Sequence, residues 1–276
     1  MWRQVTGLAE KASPTIRADA GDSFKSCITH SWTNDRRDNP LLSTRGYLMK
    51  TTTEIAGLGP LSGDVAFAKL EVESQAAIPI PIPGYSTTSN TGISLTAGLR
   101  GGVLYPLTLA GTDLPTQSRV NDRFTLGGPT DVRGFRFAGL GPRHGGDAVG
   151  GDVYAAGGAS LLFPFPRVGA DKPLRFQAFV NGGRLLALKD DRPQGDSTVK
   201  HRLPGTGGMT SDEVARSVRG TVESLADELP SVAAGVGIVY ALPVARFELN
   251  FSLPLVVRKG EDARKGLMLG VGISFL

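Results

Sequence analysis

The sequence has little from which to build a disulfide framework, a metal centre or a hydrolytic site. Cys27 is the single cysteine, so no internal disulfide can form. The three histidines, His30, His144 and His201, lie far apart, and none has a metal-ligand spacing with cysteine or carboxylate neighbours. Gly127-Gly128-Pro129 is not followed by the Gly-Lys-Ser/Thr of a phosphate loop. No Gly-x-Ser-x-Gly elbow occurs. With no nucleophile, base and oxyanion donors to name, the residues do not favour an enzyme, and no nucleotide, metal or other cofactor is implied. A net charge of +4 is mild, and the basic residues are not interleaved with aromatics, so nucleic acid is discounted as a partner. No apolar window approaches the ~18 residues of a membrane helix. Any membrane span must therefore be made of strands.

What the chain does have is glycine, 37 residues of it, which argues against helices, and long stretches that alternate with a period of two. Ala66, Ala68, Leu70 and Val72 oppose Lys69, Glu71, Glu73 and Gln75. Ile93, Leu95, Ala97, Leu99 and Val103 oppose Ser94, Thr96 and Arg100. The same division recurs in Leu174, Phe176, Ala178 and Val180 against Arg175, Gln177 and Asn181. It recurs again in Phe247, Leu249, Phe251 and Leu253 against Arg246, Glu248, Asn250 and Ser252. Successive side chains of a strand point to opposite faces, so each strand has one apolar face and one carrying charge, amide or glycine. About eleven such runs are expected, near 2–8, 22–33, 44–57, 63–78, 91–108, 119–127, 148–164, 172–186, 231–241, 244–256 and 266–276. A soluble sandwich also alternates. These runs exceed the ~5–6 residues usual in soluble strands, and their polar faces suit a wet or plugged lumen. The fold expected is all-β, an antiparallel transmembrane β-barrel.

The connections differ in length on the two sides, as barrels require. Leu242-Pro243 and 164–171 are short; 128–147 and 187–230 are long. The last ends in a helix expected near 211–229, with a capping box of Thr210 and Glu213. Val214, Val218, Val222, Leu225 and Leu229 form its apolar stripe, expected to rest on the barrel rim or to dock a partner. The prolines of 78–84 cannot donate into a ladder, so that segment reads as a stiff connection.

The run Arg123-Phe124-Thr125-Leu126-Gly127-Gly128-Pro129-Thr130-Asp131-Val132-Arg133-Gly134-Phe135 is the most informative stretch. Glycines permit a tight path, and Arg133 supplies a permanent charge on a planar fork of donors. The segment resembles the signature loop of the outer-membrane β-barrel insertases, the bacterial surface antigen superfamily. Within that superfamily it is similar to the channel subunit of the mitochondrial sorting and assembly machinery. Thr44-Arg45-Gly46-Tyr47 resembles the family's strand restart, with Ser43 in the usual proline place. Gly150-Gly151-Asp152 is similar to the glycine pair that follows the loop, and Phe179-Val180-Asn181-Gly182-Gly183 to the aromatic-x-Asp-x-Gly motif. Gly270, Ile273 and Phe275 fit the terminal strand and its targeting pattern, although Met268 stands where a polar residue belongs.

The resemblance implies that the loop folds back into the lumen and that Arg133, with Gly134 and Phe135, is anchored on position 181. Here that position is Asn181, not the family's acid. The anchor is then weaker, or the arginine uses another lumenal acid: Glu71, Glu73, Glu248 or Asp152 by face. The function implied is insertion of β-barrel proteins into the mitochondrial outer membrane by strand templating at a lateral gate. Its partners would be unfolded β-barrel precursors, other subunits of the sorting and assembly complex, and the lipid bilayer. The absence of a secretory leader at 1–8 is compatible with that location. A passive pore or polypeptide-translocating channel of the same superfamily is the alternative. The family's barrels have about sixteen strands preceded by soluble domains. Residues 1–276 therefore read as the C-terminal part, without such a domain. As a fragment, a truncated gene model or a degenerate remnant, the chain is not expected to close by pairing 266–276 with 2–8.

Overall fold

A computed structural model describes residues 1–57, 63–81, 93–108, 118–165, 173–188 and 211–273. In chain order the elements are β1 (Trp2–Val5), α1 (Pro14–Ala18), β2 (Gly21–Phe24), β3 (Cys27–Asp35), β4 (Gly46–Ala56), β5 (Phe67–Pro79) and β6 (Ser94–Pro106). There follow β7 (Arg143–His144), β8 (Asp147–Ala148), β9 (Val153–Pro164), β10 (Leu174–Leu186), α2 (Ser211–Asp227), β11 (Ser231–Ala241), β12 (Arg246–Val256) and β13 (Gly266–Gly272). Nine strands form one antiparallel sheet in the order β13-β12-β11-β10-β9-β6-β5-β4-β3. β5, β6 and β10 each run 13 residues, enough to cross a hydrocarbon core at a tilt.

The distribution of polarity is inverted relative to a water-soluble core. Glu248, Asn250 and Ser252 are fully buried and Gln177 nearly so, whereas Leu99, Leu267 and Leu269 are each about two-thirds exposed. Buried polar groups are the informative departure. Here Arg246, Glu248, Asn250 and Ser252 of β12 are polar and sheltered on the concave face, and Phe247, Leu249, Phe251 and Leu253 between and beyond them face outward and are apolar. A wall with this polarity has its low-energy environment in lipid.

Among the described residues, apolar packing on the concave face gathers at its two ends. At one end Phe124, Leu126, Val132, Phe135 and Leu140 from the long 118–152 connection meet Phe67, Leu104, Ala156, Leu185 and Ala233 of the wall. At the other, Leu42 of the β3–β4 turn packs on Leu162, Val239 and Ala241. Asp38 organises that turn by accepting hydrogen bonds from Thr44 Oγ1 at 2.5 Å, Thr44 N at 2.9 Å and Arg45 N at 3.1 Å.

Three expectations change. The run at 22–33 breaks in two, because Lys25 turns inward onto Glu54 at 2.5 Å and Asp122 at 3.0 Å. β2 then pairs with β1 in a separate hairpin, so the run at 2–8 does not join the wall and does not meet 266–272. The run at 119–127 makes only isolated bridges, Phe124 to Gly151 and Leu126 to Leu140. Its polar side chains are held by ion pairs instead of a ladder: Asp122 by Arg3 at 2.6 Å, and Arg123 near Asp152 at 3.8 Å. Finally, α2 buries Val214, Ser217 and Thr221, while Val222 and Leu229 of the expected stripe stay exposed. Small side chains allow close approach to the wall, and the Thr221 hydroxyl is satisfied within the helix by Ser217 O at 2.7 Å. Thr210 and Phe275 lie outside the described residues.

Candidate functional site

The connection after Leu126 turns back into the concave face. Gly127 (φ +106°) starts the turn, and a Cβ there would meet Arg136 O at 2.8 Å. Gly128 follows, also at positive φ. Asp131 closes the turn, its carboxylate accepting from Gly127 N at 2.9 Å and lying 3.6 Å from Arg100 of β6. Burial pushes the Asp131 carboxyl upward despite the Gly127 hydrogen bond and the cations nearby. Phe135 is fully buried among the apolar residues at this end. The loop then pairs with the β12–β13 connection: Arg136 N donates to Asp262 O at 3.0 Å and Arg264 N to Gly134 O at 2.8 Å. Gly134 lies so close to β11 that a Cβ would meet Ala233 Cβ at 2.6 Å.

Arg133 is held at three points. Its Nε donates to Glu248 Oε2 at 3.0 Å, with both side chains almost fully buried. Its guanidinium carbon lies 4.7 Å from the centre of the Phe179 ring, a cation–π distance. Its main chain is clasped by Asn181, whose carboxamide orientation is assigned from its partners: the oxygen accepts from Arg133 N at 2.9 Å and the nitrogen donates to Arg133 O at 3.3 Å. A carboxylate at 181 could accept but not donate, so only the amide satisfies both main-chain groups. Among the four acids considered from the sequence, Glu248 meets the guanidinium. Glu73 pairs with Arg100, Glu71 lies near Lys69, and Asp152 binds Ser118 and Leu188 N.

Glu248 sits at the hub of a buried network. Arg246 reaches it at 2.5 Å, Asn250 Nδ2 at 2.7 Å and Gln177 Nε2 at 3.0 Å. Gln177 and Asn250 belong to strands that are not adjacent; β11 runs between them with Gly237 in register with both. A Cβ on Gly237 would sit 2.0 Å from Asn250 Oδ1. The glycine opens the gap through which the two amides touch. Gly235, one inward position away, likewise lies under the Phe179 ring.

The other expected residues fall near this arrangement or apart from it. Gly151 exchanges main-chain hydrogen bonds with Phe124 at 2.9 and 3.0 Å, and Gly150 stands beside it at positive φ. Gly270 is on the inner face of β13, while Ile273 is exposed and touches none of these groups. Met268 takes part where a polar residue was looked for: its sulfur accepts from Gly134 N at 3.4 Å. The sequence reading missed Arg246, Gln177 and Asn250 as partners of Glu248, the acid that holds the loop, although their alternation put them on the polar face. The inward glycines at 235 and 237 were the available signal.

The family model described as the Omp85 superfamily domain matches residues 2–275. A SAM50-like protein of Schizosaccharomyces pombe is 38% identical over the whole chain, which spans 50% of that relative. The mouse sorting and assembly machinery component 50 homolog is 33% identical, with 51% of it covered. The sorting assembly machinery 50 kDa subunit of Saccharomyces cerevisiae is 30% identical over 99% of the chain and 48% of the relative. The chain thus spans about half the length of these relatives. The crystal structure of BamA from Haemophilus ducreyi lacking POTRA domains 1–3 superposes with a TM-score of 0.64 at 12% identity, over 91% of this chain and 43% of that one, and shares the fold. With these homologues and an apolar outer wall, the chain is an integral β-barrel protein of the mitochondrial outer membrane. A wall greasy without and polar within, a signature loop seated on its concave face, and a family match from residue 2 to residue 275 together show that the chain belongs to the Omp85 superfamily.

Proposed function

We propose that residues 1–276 supply the C-terminal part of a barrel that inserts and assembles β-barrel precursors in the mitochondrial outer membrane, working beside other subunits of a sorting and assembly complex. The names of the relatives support this reading. The observation that carries it is the tie between the loop and the last hairpin: Arg133 meets Glu248 of β12 and Arg264 N donates to Gly134 O, beside β13, the terminal strand of the nine-stranded sheet among the described residues. An open edge presents a row of unpaired donors and acceptors, a ready template for another strand. In lipid such groups cost several kcal/mol each, so an incoming client strand that pairs with them is strongly favoured. In this mechanism the client's strand adds to the β13 edge at a lateral gate. The loop, pinned through Arg133 and the β12–β13 connection, keeps that hairpin in place while the edge exchanges partners. No covalent chemistry or cofactor is required.

The test is cross-linking in mitochondria during import of a precursor with one cysteine in its last strand. Cysteines are placed singly at Leu267, Met268, Leu269, Gly270 and Val271. Templating gives disulfides at one register, stepping residue for residue as the precursor cysteine is moved. Assembly without any register-dependent cross-link to β13 contradicts it.

A further inference from the structure

Helix α2 lies on the outside of the wall. Its first residue is joined to β6 by Tyr105 Oη to Ser211 O at 3.3 Å, and its end to β10 by Arg184 to Ser224 O and by Arg184 to Glu228 at 2.7 Å. Tyr105 and Arg184 alternate with the inward-facing Leu104 and Leu185, so both are on the outer face. Since β9 lies between β6 and β10, the helix runs across the strands, and its axis is near the plane of a membrane that the strands cross. Around that axis there are three sectors. Val214, Ser217 and Thr221 face the wall. Asp212, Arg216, Arg219 and Glu223 occupy the opposite side. Val218, Val222 and Leu225 fill the flank between, and Leu229, two residues past the helix end, is 79% exposed. The direction of that flank follows from its surroundings. Leu225 and Ala226 roof a cavity of about 840 Å³ whose other walls include Val72, Leu99, Gly157 and Val180, outward residues of the membrane belt. The apolar flank is therefore continuous with the lipid-facing surface.

We propose that α2 is an interfacial helix, seated in the headgroup layer with its Val218–Leu225 flank and the following Leu229 on the acyl chains, and that a phospholipid acyl chain fills the cavity beneath it. An apolar flank beside a charged one, lying in the interface plane, is the arrangement bilayers bind. The proposal rests on the membrane-wall reading, and the test separates the two. Single cysteines at Val218, Arg219, Val222, Glu223, Leu229, at Leu99 in the cavity and, as wall reference, at the outward Leu249 of β12 are introduced into the full-length protein with Cys27→Ser, spin-labelled, and reconstituted in phosphatidylcholine nanodiscs. Collisions with oxygen report lipid; collisions with a water-soluble nickel chelate report water. Labels at 218, 222, 229 and 99 should follow Leu249 and favour oxygen, while 219 and 223 favour nickel. Nickel-accessible labels all round the helix overturn the proposal with the wall intact, if Leu249 still favours oxygen, and a nickel-accessible Leu99 overturns the acyl chain in the cavity. A flank shielded from both reagents overturns it in favour of a protein partner. If Leu249 itself is nickel-accessible, the wall reading falls as well.

Discussion

Arg133 and Glu248, 115 positions apart in the chain, meet at 3.0 Å with both side chains almost out of reach of solvent. Arg246 approaches the same carboxylate at 2.5 Å. One anion thus stands between two buried cations. Removing one partner of a buried pair leaves an uncompensated charge and costs roughly 3–5 kcal/mol. Glu248→Gln is expected to destabilise by about that amount. Heat-modifiability on semi-native gels, with strand content followed by circular dichroism, measures it.

The amide at 181 is expected to outperform the acid that family resemblance would place there. Asn181→Asp removes the donor to Arg133 O and turns a carboxylate oxygen toward that carbonyl. A buried acceptor left unsatisfied costs about 1–3 kcal/mol. The variant should therefore melt earlier than wild type, and Asn181→Ala comparably. An Asp variant as stable as wild type would mean that the carboxamide clasp contributes nothing.

Gly134 is constrained by contact as well as by conformation. Its φ is +90°, and Ala233 Cβ leaves no room for a side chain. Gly134→Val should lift the loop from β11, by overpacking that costs about 1–3 kcal/mol. Limited proteolysis within 128–142 should become faster in the folded protein. Ala233→Gly removes the facing methyl and should restore part of the protection.

The turn between β3 and β4 should depend on pH. Burial raises the Asp38 carboxyl, but donors from Thr44, Arg45 and Asn39 outweigh it, and the group lies below the usual carboxylate range. A depressed folded value contributes stability above the unfolded value, about 3.9, and that contribution is lost as pH falls through the folded one. Protection of the Thr44 and Arg45 amides, exchange relative to the unstructured chain at the same pH, should therefore hold through pH 5 and fall only on further acidification. Asp38→Asn should exchange faster at neutral pH.

The wall was legible because alternation is a local property: eight of the strands follow from which residues are apolar at i and i+2, and Leu95, Phe247 and Leu269 take the outer face as their spacing requires. The run at 119–127 alternates less regularly, with Asp122 in line with Val120, Phe124 and Leu126, and is not a strand. Its fate depends on ion pairs with Arg3 and Asp152, distant in sequence and invisible to periodicity. The helix near 211–229 was legible too, but not its rotation, because Ser217 and Thr221 are buried by their small size rather than by hydrophobicity. The loop was readable from Gly127 to Phe135. Its side-chain partner was narrowed to four acids and no further, since choosing Glu248 required knowing that β11 brings glycines between β10 and β12.

The most direct test of a loop pinned to the inner wall is the coupling free energy between Arg133 and Glu248, from a double-mutant cycle of Arg133→Gln, Glu248→Gln and the pair, read as thermal unfolding in one detergent. The account predicts a double variant clearly less destabilised than the sum of the singles, with coupling of about 1–3 kcal/mol. Additivity within about 0.5 kcal/mol would contradict it.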